Sequence, residues 1–168
     1  EFRRVLFRSF GDYIDVFGLE SRVADLHELV ASTFKDWKSL QHEDGGFGYW
    51  PSSRRSDPYV SARIAHIYAL ALRRGWSKKE LAIDIDRLLS YIGKEAERKP
   101  GDEAGRDDSR LDYHRAYSAY VEVLNGLAPD AGLLASLIRR ENQGIAVLSL
   151  AGLAAQAGGG NLLPLSKE

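Results

Sequence analysis

Side chains able to do chemistry are concentrated in three short stretches of the sequence. QHEDGGFGYW, residues 41–50, is a glycine- and aromatic-rich turn between two helix-like segments. DID, residues 84–86, and Asp107-Asp108 bring carboxylates together, as sites that hold a proton for acid catalysis or bind magnesium also do. DID has no following aspartate, and its helical position predicts solvent exposure. Asp107-Asp108 lies in a charged loop, which favours a role near a helix cap over a magnesium site.

Other reactive residues form no recognisable catalytic or metal-binding pattern. The chain has no cysteine, which excludes a disulfide, a thiolate zinc site and a cysteine nucleophile within these residues. Four histidines are scattered without metal-ligand spacing, and neither a Gly-x-Ser-x-Gly elbow nor a phosphate-binding loop is present. We therefore predict no catalytic, cofactor-binding or metal-ligating residue and no enzymatic activity in this chain.

Three tyrosines, Tyr113, Tyr117 and Tyr120, are spaced three and four residues apart. Such spacing places them on one helix face, where they are able to line a pocket. An aromatic stripe at helical spacing more often belongs to a core, and we predict that role.

Charge and hydropathy limit the partners of the chain. Its 168 residues suit one domain, and the formal net charge is −1. No basic stripe or patch supports binding to nucleic acid or to an anionic membrane surface. The apolar runs are shorter than the roughly 20 residues of a membrane span, so direct membrane insertion is not expected.

The first nine residues, EFRRVLFRS, resemble the translation of a common sequencing-library adapter. We therefore interpret residues 1–9 as an artefact and expect the gene to continue upstream of Phe10. Residues 10–160 are interpreted as part of one helical domain, and residues 161–168 as a tail.

Periodicity and capping signals predict six helices. The first covers residues 21–40, and the second begins at Asp57-Pro58 and ends at Gly75. A capping box at residues 77–80 predicts the start of the third, and a similar pattern at residues 109–112 precedes the fourth. The last two are predicted over residues 130–140 and 144–157.

Short connections between these helices predict antiparallel helix pairs. Such pairs stack as a solenoid, close into a ring of inner and outer helices, or form a simple bundle. Periodicity alone does not choose among these arrangements.

The glycine turn at residues 41–50 has a structural explanation in its residue types. Asp44-Gly45-Gly46 is suited to reversing the chain, and Gln41 is placed to bond loose backbone groups at the helix end. Aromatic residues just beyond the turn add apolar surface. We predict a packed inter-helix turn whose motif residues are Gln41, Asp44, Gly45, Gly46, Phe47, Trp50, Asp57 and Pro58.

The segment LQHEDGGFGYWPSSRRSDPYVSARIAHIYAL, residues 40–70, closely resembles part of the bacterial alpha-2-macroglobulin family. There an LQxxDGGFGxW turn precedes a Ser-Asp-Pro-Tyr helix start and an alanine-rich helix. DYIDVFGLE and RAYSAYVEVLNGLAPDAG are similar to flanking helices of the same domain. The resemblance implies a partial α/α toroid, the thioester domain of a secreted or periplasmic inhibitor that traps proteases. Its implied partners are target proteases and the remaining domains of the same protein.

Two departures from the family concern its covalent chemistry. The Cys-x-Glu-Gln thioester motif lies upstream of the glycine turn in the family, whereas this chain has no cysteine. The motif is either encoded upstream of Phe10, which we expect, or absent from the parent protein. Complement relatives carry an acyl-accepting histidine in the loop after the turn, but GYWPSSRRS has none. The resemblance then implies direct attack on the thioester by amines such as lysine. Neither His42 nor His66 matches the position of the family's histidine.

Two other classes of protein remain open from the sequence. Terpene cyclases and prenyltransferases use the same toroid and similar glycine turns, but they need an Asp-x-Asp-Asp cluster or zinc ligands that include cysteine. A helical-repeat scaffold that binds a partner on a concave face is the other class.

A partial toroid is also expected to expose apolar surface. A closed ring packs its last helices against its first, and six helices do not complete one. We therefore expect exposed apolar side chains at the ends, such as Leu148, Leu150, Leu153 and Phe17.

Overall fold

The computed structural model describes residues 23–98, 108–128, 130–140 and 143–158. The predictions made for residues 1–9, for Phe17, for Asp107 and for the tail at residues 161–168 lie outside these ranges. All statements below concern the described part of the chain.

Six helices and no strand are found in the described ranges, which confirms the all-α prediction there. The helices are α1 (Val23–Lys38), α2 (Pro58–Arg73), α3 (Ile85–Glu97), α4 (Asp108–Leu124), α5 (Ala131–Arg139) and α6 (Ile145–Ala157). Not one of them is both long and apolar enough to cross a membrane.

The start of α2 follows the predicted capping, and the start of α5, predicted near residue 130, is capped as well. The Asp57 carboxylate accepts a hydrogen bond from the Val60 amide at 2.8 Å, and Pro58 occupies the first helical position of α2. The Asp130 carboxylate accepts from the Leu133 amide at 3.0 Å and so caps α5. These local bonds explain why both boundaries are readable from the sequence.

The capping box at residues 77–80 does not start a helix, and that prediction is wrong. Its hydrogen bonds do form, because the Ser77 amide donates to the Glu80 carboxylate at 2.8 Å. The chain then passes through Ala82 at φ +43°, outside the right-handed helical region, and a helix cannot continue. α3 begins only at Ile85, where the Asp84 carboxylate accepts from the Arg87 amide at 3.1 Å.

α4 is the central helix of the described fold. It contacts α2, α3, α5 and α6. In addition, α3 packs against α2, and α5 packs against α6. Such contacts between helices near in sequence are common to open stacks and closed rings of helix pairs.

The main core is shared by α1, α2, α3 and α4, which contribute large buried side chains to it. Phe34 of α1 meets Tyr68 of α2 with ring centroids 6.0 Å apart. The largest fully buried apolar side chains of this core are those of Phe34, Tyr68, Leu81, Leu88, Ile92 and Val121. This packing fixes the helix ends that carry the glycine turn.

α6 packs against the other helices mainly through alanines and exposes several of its larger apolar side chains. Ala151 and Ala154 are fully buried against α4 and α5, while Ile145 is 84% exposed. Leu148 and Leu153 are exposed as predicted, whereas Leu150 is partly buried and packs against the core. α6 therefore presents an uncovered apolar face.

Candidate functional site

The glycine turn is a short hairpin between α1 and α2. Gln41 and Phe47 form an isolated antiparallel bridge, and the His42 amide donates to the Gly46 carbonyl at 2.9 Å. The Gly45 amide returns a bond to the His42 carbonyl at 3.0 Å. Gly45 has φ +92°, a conformation that glycine adopts without steric cost.

The side chain of Gln41 connects this hairpin to the start of α3. Its Nε2 donates to the carbonyls of Gly45 and Asp84, both at 2.9 Å. Its Oε1 accepts from the Asp84 amide at 2.9 Å. The Gln41 side-chain amide thus bonds to both the backbone N–H and the backbone C=O of Asp84, as a residue on a neighbouring strand would. These bonds join the end of α1 to the beginning of α3.

Asp44, Ser56 and His42 form a second set of bonds across the turn. Asp44 Oδ1 accepts from the Gly46 amide at 2.9 Å and from Ser56 Oγ at 2.7 Å. His42 Nδ1 lies 2.9 Å from the same Ser56 Oγ. In a serine nucleophile the imidazole lies between the hydroxyl and the carboxylate and takes the hydroxyl proton. Here the serine lies in the middle and donates to Asp44, so the three residues brace the loop.

Phe47 anchors the turn in the core and ties it to α2. Its side chain is 3% exposed, and its amide donates to the buried Ser61 hydroxyl at 2.9 Å. Its carbonyl accepts from the Asp57 amide at 2.8 Å, next to Pro58. Asp57 therefore serves both the turn and the cap of α2.

Close approach of α3 explains why the turn contains two adjacent glycines. A Cβ atom on Gly45 would lie 2.4 Å from the Arg87 carbonyl oxygen. One on Gly46 would lie 2.6 Å from Ser56 Cβ and 2.8 Å from Tyr91 Cε1. All three distances are too short for any side chain, so the backbone of the turn packs directly on α3 at Gly45, and on both Ser56 and α3 at Gly46.

Trp50 does not take part in this packing, and the prediction that its ring packs in the turn is wrong. Its side chain is 67% exposed, and its ring meets that of the exposed Tyr49 edge to face at 5.0 Å. Only its backbone contributes, since the amide donates to Ser53 Oγ at 2.9 Å. The other motif residues converge on one unit, which we call the turn knot: Gln41, Asp44, Gly45, Gly46, Phe47, Asp57 and Pro58.

The capping pattern predicted at residues 109–112 lies inside α4, which already begins at Asp108, so that prediction is wrong. Its Asp112 is instead a buried carboxylate that holds the link between α5 and α6 onto α4. Asp112 is 4% exposed, and it accepts from Gln143 Nε2 at 2.7 Å and from the Arg140 guanidinium. Arg115 Nη1 lies 3.9 Å from the other carboxylate oxygen of Asp112, Oδ1. Asp112 neighbours the tyrosine face of α4, and an acidic residue beside such a face was the available signal.

Tyrosines and one arginine meet at the seam between α2 and α4. Tyr117 is 3% exposed, which confirms the core prediction for it, while Tyr113 and Tyr120 are only partly buried. The Tyr117 hydroxyl lies 2.9 Å from His66 Nδ1, and the Arg63 guanidinium is near enough to act on it electrostatically. Burial raises the pKa of Tyr117 to about 12 against the opposing effect of Arg63, so the hydroxyl stays neutral.

Asp84 and Asp86, singled out from the sequence, have ordinary capping and surface roles. Asp84 caps α3, and Asp86 is exposed in its first turn. Asp108 begins α4. No group of three or more histidine or acidic side chains in the described ranges is placed to hold a metal ion.

Comparisons of the chain with protein-family models, with curated proteins and with solved structures found no match. The turn knot has a structural role, because it fixes the ends of α1, α2 and α3 with respect to each other.

Proposed function

We propose that this chain is part of the thioester domain of a bacterial alpha-2-macroglobulin-like protease-trapping inhibitor, and that it is a structural part. The observation that supports this most directly is that the polar motif residues are engaged in hydrogen bonds that hold the turn together. Gln41, Asp44 and Gly45 resemble the family's LQxxDGG turn, and their polar groups bond to backbone and loop groups around that turn. Residues at these positions act as scaffold in this chain.

In the proposed domain the full fold is an α/α toroid. In support, α2 and α4 each contact the two helices that follow them, as helices of such a ring would. Ring closure needs further helix pairs, which the parent protein would supply.

The turn knot has a clear use beside a reactive thioester. In the family the thioester precedes the glycine turn, so the turn knot would support the reactive loop from the helix ends below it. A strained group keeps its geometry only when the surrounding residues are held by packing and hydrogen bonds. Three helices tied together by Gln41, Phe47 and Asp57 provide such a rigid base.

The proposed covalent step takes place on the parent protein. A protease amine attacks the thioester carbonyl, the cysteine thiolate leaves, the amine loses its proton, and an amide remains. The loop at residues 48–56 offers no histidine to take up the acyl group first. Direct attack by lysine amines of the trapped protease follows, in the periplasm, at the cell envelope or outside the cell.

The parent protein provides the decisive test. The coding sequence upstream of Phe10 should contain Cys-x-Glu-Gln, and the expressed parent should form denaturant-stable conjugates with trypsin. Prior treatment with methylamine should abolish these conjugates, because the amine consumes the thioester. An upstream region without this motif, or trapping that methylamine leaves unchanged, would contradict the proposal.

The chain alone provides a second test. Because it contains no thiol, methylamine should leave its intact mass unchanged. A stable methylamine adduct on this chain would show that the covalent chemistry has been assigned to the wrong part of the protein.

A further inference from the structure

The loop between Phe47 and Asp57, which we call the tryptophan loop, leaves the turn knot and returns to it. The Asp57 amide donates to the Phe47 carbonyl at 2.8 Å, and this bond closes the loop at its base. Inside the loop, the Ser53 amide donates to the Trp50 carbonyl and the Trp50 amide donates to Ser53 Oγ, both at 2.9 Å. A Cβ atom on Gly48 would lie 2.3 Å from Ser53 Cβ, so the two sides of the loop are in contact. Compact loops with closed bases often carry function, because a rigid scaffold positions their side chains.

The tryptophan loop exposes its largest side chain to solvent. Trp50 is 67% exposed, although burying an indole ring is among the largest apolar gains that a side chain provides. Its ring meets that of Tyr49, which is 52% exposed, edge to face at 5.0 Å. Phe47 alone anchors this part of the chain in the core, so the fold does not use the Trp50 ring. Exposed aromatic rings on a braced loop are typical of a contact surface.

Two arginines lie on the same loop. Arg54 and Arg55 are both exposed, and among the described residues no carboxylate forms an ion pair with either of them. The nearest carboxylates along the chain already have other partners. Asp57 caps α2, and Asp44 accepts from Ser56 Oγ and braces the turn. The loop therefore offers two guanidinium groups whose planar donors fit carboxylates.

The charge around the loop favours a protein partner over a polyanion. Residues 41–57 contain two arginines and the three carboxylates of Glu43, Asp44 and Asp57, so their formal net charge is −1. Nucleic acids and anionic bilayers bind through clusters of cations in excess, which this stretch lacks. A protein segment with a few carboxylates around an apolar side chain matches the loop, because the arginines pair with the carboxylates and Trp50 covers the apolar group.

From these observations we propose that the tryptophan loop is a docking surface for an acidic protein segment in which carboxylates flank an apolar or aromatic side chain. Trp50 contacts the apolar side chain, and Arg54 and Arg55 bind the carboxylates. Because the loop is already braced, little conformational freedom is lost on binding. This inference is independent of the proposed protease-trapping function, and its test does not require the parent protein.

An acidic peptide and its neutral counterpart test the role of charge. The probes are acetyl-Glu-Asp-Phe-Leu-Glu-Asp-amide and acetyl-Gln-Asn-Phe-Leu-Gln-Asn-amide. We expect two-dimensional NMR of the full chain to show saturable binding of the acidic peptide with a Kd of about 0.1–1 mM, as suits a short contact with one aromatic anchor. The neutral peptide should bind at least about tenfold more weakly, because it lacks the carboxylates. Equal affinities of the two peptides would refute the proposal.

Variants locate the binding on the tryptophan loop. Trp50→Ala should weaken binding of the acidic peptide at least about tenfold. The double variant Arg54→Gln with Arg55→Gln should bind the acidic peptide no more tightly than the neutral one. Leu29→Ala and Arg73→Gln, at exposed positions of α1 and α2, are the matched controls and should bind as the wild type does. Wild-type affinity in Trp50→Ala or in the double variant would contradict the assignment.

The location of the peptide on the wild-type chain decides the question if a variant does not fold. Chemical-shift changes concentrated at residues 48–56 support the proposal, whereas saturating changes centred elsewhere, for example on α6, overturn it. Vesicles of phosphatidylcholine with phosphatidylserine, and oligothymidine, are the competing ligands. If either binds the tryptophan loop more tightly than the acidic peptide does, the loop contacts a membrane or a nucleic acid and the proposal is wrong.

Discussion

The side-chain amide of Gln41 pairs with the peptide group of Asp84, 43 positions further along the chain. Both groups of the amide are used, one as donor and one as acceptor, and the donor also reaches the Gly45 carbonyl. This contact connects the end of α1 with the start of α3.

Removing this amide should destabilise the protein measurably. Gln41→Ala leaves the part-buried Gly45 carbonyl and the exposed Asp84 amide without these partners. We expect the free energy of unfolding to fall by about 2–3 kcal/mol. Urea unfolding followed by circular dichroism measures this, with the exposed Gln156→Ala as control at less than about 0.5 kcal/mol. Equal effects of the two changes would show that the Gln41 bonds contribute nothing.

Comparing alanine substitutions at Gly45 and Gly75 distinguishes the cost of a steric clash from the cost of backbone strain. Both have left-handed φ values, +92° and +97°, but a Cβ atom has open space at Gly75 and meets the Arg87 carbonyl at Gly45. Gly75→Ala should cost about 1 kcal/mol for the conformation alone. Gly45→Ala should cost about 2–3 kcal/mol more because α3 must move. Similar thermal midpoints for the two variants would argue against close packing of the turn on α3.

Phe47 and Trp50 lie three positions apart, but truncating them to alanine should reduce the stability of the protein by very different amounts. Phe47 is 3% exposed, so Phe47→Ala should cost about 3–5 kcal/mol. Trp50 is 67% exposed, so Trp50→Ala should change the free energy of unfolding by less than about 0.5 kcal/mol. Denaturant titration of both variants decides this, and a large loss in Trp50→Ala would mean that its ring is covered in solution.

Glu122 should make the protein less stable as the pH rises through neutrality. Burial, with the nearby charges of Asp130 and Glu97, raises its pKa from 4.5 to about 7. The folded chain therefore binds more protons than the unfolded chain between those pH values, and stability falls as the pH rises across them. The shift alone is equivalent to about 3 kcal/mol, and the partial exposure of Glu122 reduces this to about 1–2 kcal/mol.

Glu122→Gln isolates this effect. At pH 5 the variant should match the wild type, and at pH 8 it should be about 1–2 kcal/mol more stable, because it has no charge to bury. Unfolding free energies at the two pH values provide the measurement, with the exposed Glu28→Gln as the control. A constant difference between variant and wild type at both pH values would rule out titration of Glu122 as the cause.

The apolar face of α6 should cause self-association. Ile145, Leu148 and Leu153 are exposed on one short helix. We expect light scattering of the chain to report a mass that increases with concentration. The double variant Leu148→Glu with Leu153→Glu should remain monomeric, whereas Leu127→Glu, at an exposed position beyond α4, should behave as the wild type does. A wild-type monomer at high concentration would show that this face does not associate.

Local rules predicted most of the helix boundaries, and contacts distant in sequence explain what they missed. Asp57, Pro58 and Asp130 act within their own first helical turn, so their effects are visible in a few consecutive letters. The capping box at Ser77 forms its bonds too, but the positive φ of Ala82 prevents a helix there. Nothing near Ala82 in the sequence indicates that conformation.

The site was predicted in composition but not in geometry. Residue types identified the turn, and glycine and aspartate gave its reversal, yet the pairing of Gln41 with Asp84 depends on how α3 docks. Trp50 illustrates the same limit, because an aromatic residue beside a turn is equally compatible with a core and with a surface. Asp112 was missed because its partners lie 28 and 31 positions away.

Asp112 has a consequence for how the molecule opens. The turn knot joins α1, α2 and α3 through several independent bonds, whereas the described side-chain hydrogen bonds from the link between α5 and α6 all end on this one carboxylate of α4. Apolar packing still holds the two helices on α4, since Ala151 and Ala154 are fully buried there. A link whose polar bonds share one acceptor opens as a unit. We expect the amide hydrogens of Arg140 and Gln143 to exchange together, and earlier than those in the middle of α2 and α3.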